Sequence, residues 1–192
     1  MQLWNKLNKE ELEEQLRGIG HQYVTISFYQ YAKIANPRLF RDHLFVMWNS
    51  LDVVGRTYVA SEGINAQIAV PTKTLVEFRE KLYEIDFLEG IRLNYAVDDA
   101  EAEFPFLKLK VKVRKKILAD GLEDQTFDVT NKGKHLNAEE FNQLTDDPET
   151  LLIDFRNHYE SEVGYFEGAI LPDVDTFRDS LPKIEEEILK GN

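Results

Sequence analysis

VVGRTYVASEGINAQIAV, residues 53–70, predicts two strands joined by a short turn. Residues 53–60 and residues 64–70 are each predicted to be a strand. Ser61-Glu62-Gly63 between them has the composition of a turn, with Gly63 free to adopt a positive φ. The two strands therefore form a hairpin.

A strand and a helix are predicted before this hairpin, and a helix and two strands after it. Before it lie a strand at residues 23–32 and a helix from Pro37 to about residue 51, with Pro at its first position. After it lie a helix from Pro71-Thr72 to about residue 83 and strands at residues 91–97 and 106–118. The order predicts an α+β domain, a ferredoxin-like (acylphosphatase-like) βαββαβ sandwich. An extra helix, residues 8–18 with Asn8 as its cap, precedes it.

The remaining residues predict a linker and part of a second, α/β domain. Residues 119–135 have little apolar content and are assigned to the linker. Residues 136–192 hold a helix capped by Asn137, strands at 151–154 and 169–171, a helical turn at 159–163 and an amphipathic helix at 176–190. Residues 1–118 carry 17 Lys and Arg against 16 Asp and Glu, whereas residues 119–192 carry 6 against 19. This shift supports a domain boundary and assigns any nucleic-acid contact to the first half.

Composition excludes several classes of protein and site. At 43% hydrophobic and 30% charged, the chain has the profile of a globular protein, and no apolar run is long enough for a membrane span. Its first residues do not resemble a signal peptide, so we expect a cytoplasmic location. With no cysteine it has neither a disulfide nor a zinc-thiolate site. The four histidines lack the spacing of metal ligands, and we expect no metal.

The predicted strand FLKLKVKVRKK, residues 106–116, alternates cationic with apolar side chains. Successive side chains of a strand point to opposite faces, so one face is apolar and the other cationic. The cations of that face, about 7 Å apart by strand geometry, are Lys108, Lys110, Lys112 and Arg114. Lys115 and Lys116 extend the charge. Such a row suits a phosphate backbone, and it also suits an edge strand that uses Lys to prevent pairing with another sheet.

Two further clusters have both a binding and a structural interpretation. Ser61, Glu62 and Asn65 flank Gly63 at a strand end. In the binding interpretation, backbone amides and polar side chains there hold an anion or the edge of a base. In the structural interpretation, the segment is only a hairpin turn. Asp154 ends a predicted strand and Arg156 follows it. Sites of parallel sheets lie at such strand ends, but an ion pair that only shapes the loop is the more common arrangement.

The order of these motifs resembles the rhodanese-related tRNA uridine hydroxylases over roughly residues 20–183. The resemblance is carried by residues 23–31, Ser61-Glu62-Gly63-Ile64-Asn65, residues 106–116, Asp154-Phe155-Arg156-Asn157-His158-Tyr159-Glu160, residues 164–172 and Phe177-Arg178. It implies that residues 136–192 are the first half of a rhodanese-like parallel-sheet domain. It also implies that Asp154, Arg156 and Glu160 shape the rhodanese pocket, and that the basic strand and the turn at Ser61–Asn65 contact RNA.

The same resemblance implies oxygen-dependent 5-hydroxylation of the wobble uridine of tRNA, with molecular oxygen as co-substrate and a cysteine of the rhodanese domain required. Tyr165 stands where rhodaneses usually have His. Because the chain has no cysteine, we expect the catalytic residue beyond Asn192 and the 192 residues alone to be inactive. Two alternatives remain, a rhodanese-type sulfurtransferase and a non-enzymatic RNA-binding module.

Overall fold

The structure is a computed structural model that describes residues 8–19, 22–96, 106–118, 133–156, 158–174 and 177–186, together with Asp128 and Asn131. It divides into two compact units, Met1–Leu118 and Ala119–Asn192. Most of the predicted linker, residues 119–135, lies outside the described residues. In the described part, no helix combines the length and the apolar character that crossing a membrane requires.

The first unit alternates strands and helices. Its helices are α1 (Lys9–Ile19), α2 (Pro37–Asn49) and α3 (Leu75–Tyr83), with single 3₁₀ turns at Thr72–Thr74 and Asp86–Leu88. Its strands are β1 (Tyr23–Tyr31), β2 (Val54–Ala60), β3 (Gly63–Pro71), β4 (Asn94–Tyr95) and β5 (Leu109–Val113). The predicted βαββαβ order is therefore confirmed, and α1 is the predicted additional helix.

The five strands form one sheet in the order β4-β1-β3-β2-β5. β1 pairs antiparallel with β3 and with β4, and β2 pairs antiparallel with β3, which is the pairing of a ferredoxin-like sandwich. β5 adds to the other side of β2 in parallel orientation, from Gly55 opposite Leu109 to Val59 opposite Val113. The basic strand is thus a fifth strand beyond the βαββαβ core.

Helices α2 and α3 cover one face of this sheet. Leu44, Phe45 and Trp48 of α2 and Phe78 and Leu82 of α3 are buried against apolar strand residues. The indole of Trp48 packs against the ring of Phe78 with 5.8 Å between centroids. Burial of each such side chain stabilises the fold by roughly 1.5–3 kcal/mol, so this layer holds the domain together.

Local signals in the sequence set the helix starts. The side chain of Asn8 accepts a hydrogen bond from the Glu11 amide (2.9 Å), and the Glu11 carboxylate accepts one from the Asn8 amide (2.8 Å), a reciprocal capping box. In α2 the side chain of Asn36 accepts from the Leu39 amide (3.1 Å), and Pro37 occupies the first turn. Both predicted starts are confirmed.

Two strands are shorter than the sequence predicts. Of the described residues 91–96, Asn94 and Tyr95 form the strand and the Ala96 amide donates to the Thr25 carbonyl (3.0 Å), whereas the Ile91 amide donates to the Leu88 carbonyl (3.1 Å) and keeps Ile91 in the preceding turn. Val97 lies outside the described residues. The strand predicted at residues 106–118 is paired only over Leu109–Val113, because β2, its partner, ends at Ala60.

The second unit contains helices α4 (Ala138–Thr145), α5 (His158–Ser161) and α6 (Phe177–Ile184). Asn137 and Glu140 form the capping box of α4, as predicted for Asn137. The two predicted strands meet in one parallel bridge between Ile153 and Ile170. This is compatible with the start of a rhodanese-like parallel sheet. The predicted end of the last helix, residues 187–190, lies outside the described residues.

Candidate nucleic-acid interface

The sheet face opposite α2 and α3, called the open face below, is polar, aromatic and cationic. Two of its rows consist of Ser27 and Tyr29 of β1, Asn65 and Gln67 of β3, Arg56 and Tyr58 of β2, and Lys110 and Lys112 of β5. The next row contains Val54 and Ala69, which are buried with Tyr23, Phe106 and Leu107 in a small apolar cluster. Pairing places Tyr29, Asn65, Tyr58 and Lys112 in one row across four strands. Ser27, Gln67, Arg56 and Lys110 form the adjacent row.

The alternation predicted for the basic strand is observed in β5. Leu109 and Val111 are 7% and 6% exposed on the helix-covered face, whereas Lys110 and Lys112 are exposed on the open face. Lys108 precedes the strand, is half-buried, and accepts a hydrogen bond at its carbonyl from the Gly55 amide (3.0 Å). Among the described residues β5 pairs with β2 alone, so it is also an edge strand. Its cations nevertheless project from the face of the sheet, as binding to a polyanion requires.

Two arginines flank the ring of Tyr58 on this face. The Arg114 guanidinium carbon lies 5.2 Å from the ring centroid, within the range of a cation–π contact. A hydrogen bond from Arg56 lowers the pKa of Tyr58 from its ordinary value, and the positive charges of both arginines act in the same direction. The open face therefore stabilises negative charge at the Tyr58 hydroxyl.

A groove of about 520 Å³ lies between α1 and the β5 side of the open face. Five of its lining side chains are cationic, namely Lys9, Arg56, Lys108, Lys110 and Lys112. The remaining lining residues are Leu12, Gly55, Tyr58, Phe106 and Leu107. Lys9 forms an ion pair with Glu13 on the next turn of α1 (3.5 Å). The described lining contains no carboxylate, so the groove suits an anionic ligand that also carries apolar or aromatic groups.

The turn at Ser61–Asn65 holds the chain that leaves β5. The Glu62 carboxylate accepts a hydrogen bond from the Ile117 amide (2.8 Å), and the Asn65 side-chain amide donates to the Ile117 carbonyl (3.2 Å). Ser61 is exposed, and its carbonyl accepts from the Ile34 amide (2.9 Å). Glu62 and Asn65 thus have a structural role, and contact of this turn with RNA stays a prediction. Lys115 is exposed and Lys116 half-buried in the segment that the turn holds.

Gly63 is required by this turn. Its φ is +148°, a region that side chains rarely adopt, and a Cβ there would lie 2.1 Å from the Gln30 carbonyl oxygen. The close approach arises because Gly63 pairs with Tyr31 at the end of the β1–β3 ladder. Gly63 therefore sets the position from which Glu62 and Asn65 reach Ile117.

In the second unit, Asp154 and Arg156 form a bidentate ion pair. Arg156 Nε lies 3.0 Å and 3.1 Å from the two Asp154 carboxylate oxygens, and its Nη2 lies 2.6 Å from Oδ2. Arg156 Nη2 also donates to the Gly164 carbonyl (2.6 Å). The hydrogen bond from Arg156 lowers the pKa of Asp154. Arg156 therefore joins Asp154 to the Gly164 backbone. That this pair shapes a rhodanese pocket stays a prediction.

Glu160 belongs to the same loop. It is half-buried at the end of α5, and its negative charge contributes to a raised pKa of Arg156, although the hydrogen bond to Asp154 is the larger cause. Across residues 8–186, wherever the structure describes them, no three His, Asp or Glu side chains are grouped as metal ligands. The expectation that no metal is bound stays a prediction.

Comparison with known proteins identifies the domain. Residues 23–117 match the family model described as the UPF0176 acylphosphatase-like domain. Residues 23–117 are a domain of this family. Over 185 residues it is 47% identical to proteins named tRNA uridine(34) hydroxylase from Escherichia coli (strain SE11) and Salmonella typhimurium, and 46% identical to one from Photorhabdus laumondii. These alignments cover 96% of the chain and 52% of each relative, so the chain spans about half the length of the curated relatives it matches.

The match to the UPF0176 acylphosphatase-like domain includes every strand of the sheet, β5 among them. The sequence pattern indicates the cations of β5 but not Arg56 and Tyr58, which the pairing of β2 with β5 brings beside them. Alternation within residues 53–60 does indicate that Arg56 and Tyr58 share a face. Only the three-dimensional pairing shows that this face is the one that carries Lys110 and Lys112.

Replacement of Gly63 by Ala should lower the free energy of unfolding of the UPF0176 domain by at least about 3 kcal/mol, because both the backbone strain and the contact with Gln30 must be relieved. Urea unfolding followed by tryptophan fluorescence measures this, since both tryptophans lie in residues 1–118. Gly90→Ala is the matched control, with φ +66° and open space around a Cβ, and should cost only about 1 kcal/mol. Equal costs would show that the close approach at Gly63 is unimportant.

Replacement of Arg156 by Gln should raise the pKa of the Asp154 carboxyl toward its unperturbed value of about 3.9. A lowered pKa in the folded state stabilises the second unit above about pH 3.9, and this stabilisation is lost as pH falls through the folded-state pKa. The carboxyl carbon shift of Asp154, followed by NMR against pH, reports the change, with Arg178→Gln as the control. An unchanged pKa of Asp154 in the Arg156 variant would contradict the assignment.

Proposed function

We propose that this chain is part of an enzyme that hydroxylates the wobble uridine of tRNA at C5. The observation that carries the proposal is the 47% identity to proteins named tRNA uridine(34) hydroxylase over 96% of the chain. The matched region includes both the open face and the Asp154–Arg156 pair. A match that spans both units supports a shared activity better than a match to the first unit alone.

In this proposal the first unit supplies the contact with tRNA. Lys110, Lys112 and Arg56 are exposed on the same sheet face, and Lys108 and Arg114 lie at the two ends of β5. Cations arranged in this way neutralise backbone phosphates and release counterions, which gives affinity without regard to base sequence. The proposal also implies that the enzyme acts in the cytoplasm, where mature tRNA is modified.

The chemistry in this proposal requires groups that the 192 residues do not contain. Molecular oxygen is the co-substrate, and the required thiol comes from a cysteine that we assign to a part of the enzyme outside these residues, since none of the 192 is cysteine. Asp154, Arg156 and Glu160 shape the loop beside the pocket in which that thiol would act. The bidentate geometry of Asp154 and Arg156 supports a positioning role for this pair, because neither of the two side chains is a nucleophile in this arrangement.

Disruption of the gene should abolish 5-hydroxyuridine at the wobble position of tRNA, and the full-length gene should restore it. Mass spectrometry of tRNA nucleosides measures the modification. A gene segment that encodes only the 192 residues should fail to restore it, because it supplies no cysteine. Loss of a thiolated nucleoside instead would identify a sulfurtransferase, and an unchanged nucleoside profile would overturn the proposal.

The contribution of β5 is tested by Lys110→Gln combined with Lys112→Gln in the 192-residue chain. Four phosphate contacts imply a log–log salt slope of magnitude about 3 for tRNA binding, and loss of two should lower it by about 1.5. Both side chains are exposed, so the free energy of unfolding should barely change.

The control for this pair is Arg38→Gln combined with Arg79→Gln. Both arginines are exposed on the helices that cover the opposite face of the sheet, and their loss removes the same total charge. The control variant should keep a steeper salt slope than the β5 variant. If the two variants have equal slopes, β5 acts only as a guarded sheet edge.

A further inference from the structure

An exposed tyrosine on the open face has no evident role in the packing of the sheet. Tyr29 is 53% exposed on β1, which at this position pairs with β3, and its ring makes an edge contact with Tyr31 at 6.3 Å between centroids. Its neighbours across the sheet are Asn65 and then Tyr58. A large ring is thus presented to solvent near the end of β1, at one end of a row of polar and cationic side chains, where a bound ligand would cover it.

The rest of the open face provides the groups that a nucleotide needs beside such a ring. Gln67 and Arg56, on interior strands, are exposed, so their amide and guanidinium groups can reach a ligand lying on the sheet. No carboxylate occurs among the described open-face residues that are paired across β1, β3, β2 and β5. Strands lie about 4.8 Å apart, so Tyr29 and Lys112, three strands away, are separated by about 14 Å at the backbone.

We propose that the open face binds an unpaired stretch of RNA, with one base stacked on Tyr29 and the backbone phosphates on Arg56, Lys110 and Lys112. Cations alone bind single and double strands alike, because both present phosphates. A ring accessible from above the sheet can stack only on a base that is not already stacked in a duplex. The exposed ring of Tyr29 together with the cations Arg56, Lys110 and Lys112 therefore selects single-stranded RNA.

The groove beside α1 is where the RNA phosphates would lie in this proposal. It contains Lys110, Lys112 and Arg56 together with the ring of Tyr58, and α1 closes its outer side with Leu12 and Lys9. An RNA single strand that runs from the groove toward β1 would pass Tyr58 and Asn65 before it reaches Tyr29. The identification of the RNA as an unpaired part of tRNA rests on the proposed function, whereas the preference for a single strand does not.

The test compares a ten-nucleotide oligouridine with an RNA duplex of ten base pairs, both labelled, by fluorescence anisotropy with the 192-residue chain. The single strand should bind more tightly than the duplex at the same salt concentration. Tyr29→Ala should weaken binding of the single strand at least about fivefold, and should leave both its salt slope and the duplex affinity unchanged. Tyr29→Phe should keep the affinity, because a phenyl ring also stacks.

Two further variants separate stacking from folding. Tyr29→Leu keeps apolar bulk without a π face and should also lose affinity, with an unchanged melting temperature. Tyr165→Ala removes a tyrosine of similar exposure, 58%, from the second unit and should have no effect. Equal binding of the single strand by the wild type and Tyr29→Ala, or equal affinity for single strand and duplex, would overturn the proposal.

The outcome is independent of the enzymatic assay. If tRNA binds through Lys110 and Lys112 but oligouridine does not bind, the proposed stacking of a base on Tyr29 is wrong and the proposed function stands. If oligouridine binding depends on Tyr29 while gene disruption leaves tRNA nucleosides unchanged, the proposed stacking on Tyr29 stands and the proposed function is wrong.

Discussion

The parallel pairing of β5 with β2 is the constraint on which the interface depends. Because side chains of a strand alternate between faces, a shift of one residue in this register would bury Lys110 and Lys112 and expose Leu109 and Val111. Burial of the two aliphatic side chains stabilises the observed register by roughly 1.5–3 kcal/mol each, and burial of unpaired ammonium groups in the alternative costs more. Hydrogen bonds fix both ends of the pairing. At the start the Gly55 amide donates to the Lys108 carbonyl, and beyond the end the Glu62 carboxylate accepts from the Ile117 amide while the Asn65 side chain donates to the Ile117 carbonyl.

Most of the first unit could be predicted from the sequence because its signals are local. Capping by Asn8, the Pro at the start of α2 and the alternation in β5 each depend on neighbouring residues, and the structure has them as predicted. The place of β5 in the sheet could not be predicted in this way. It depends on contacts between segments about 50 residues apart, and nothing in the pattern of residues 106–116 names β2 as the partner.

The same limit applies to the turn at Ser61–Asn65. Its composition predicts a turn with Gly63 at positive φ, and that is observed. The targets of Glu62 and Asn65 were not predictable, since Ile117 lies 55 and 52 residues away. In the second unit the short spacing of Asp154 and Arg156 did predict their pairing. The extent of the parallel sheet did not follow from the sequence, and among the described residues it amounts to one bridge.

The environment of Tyr58 gives the open face a spectroscopic reporter of its own. A hydrogen bond from Arg56 lowers the pKa of its phenol, with a further contribution from Arg114. An anion that binds beside these guanidinium groups competes for their hydrogen bonds and neutralises their charge, so it moves the pKa of Tyr58 back toward its ordinary value. By linkage, affinity for that anion falls as the phenol ionises. The ring resonances of a single tyrosine thus record, without a label, how much of this surface is occupied.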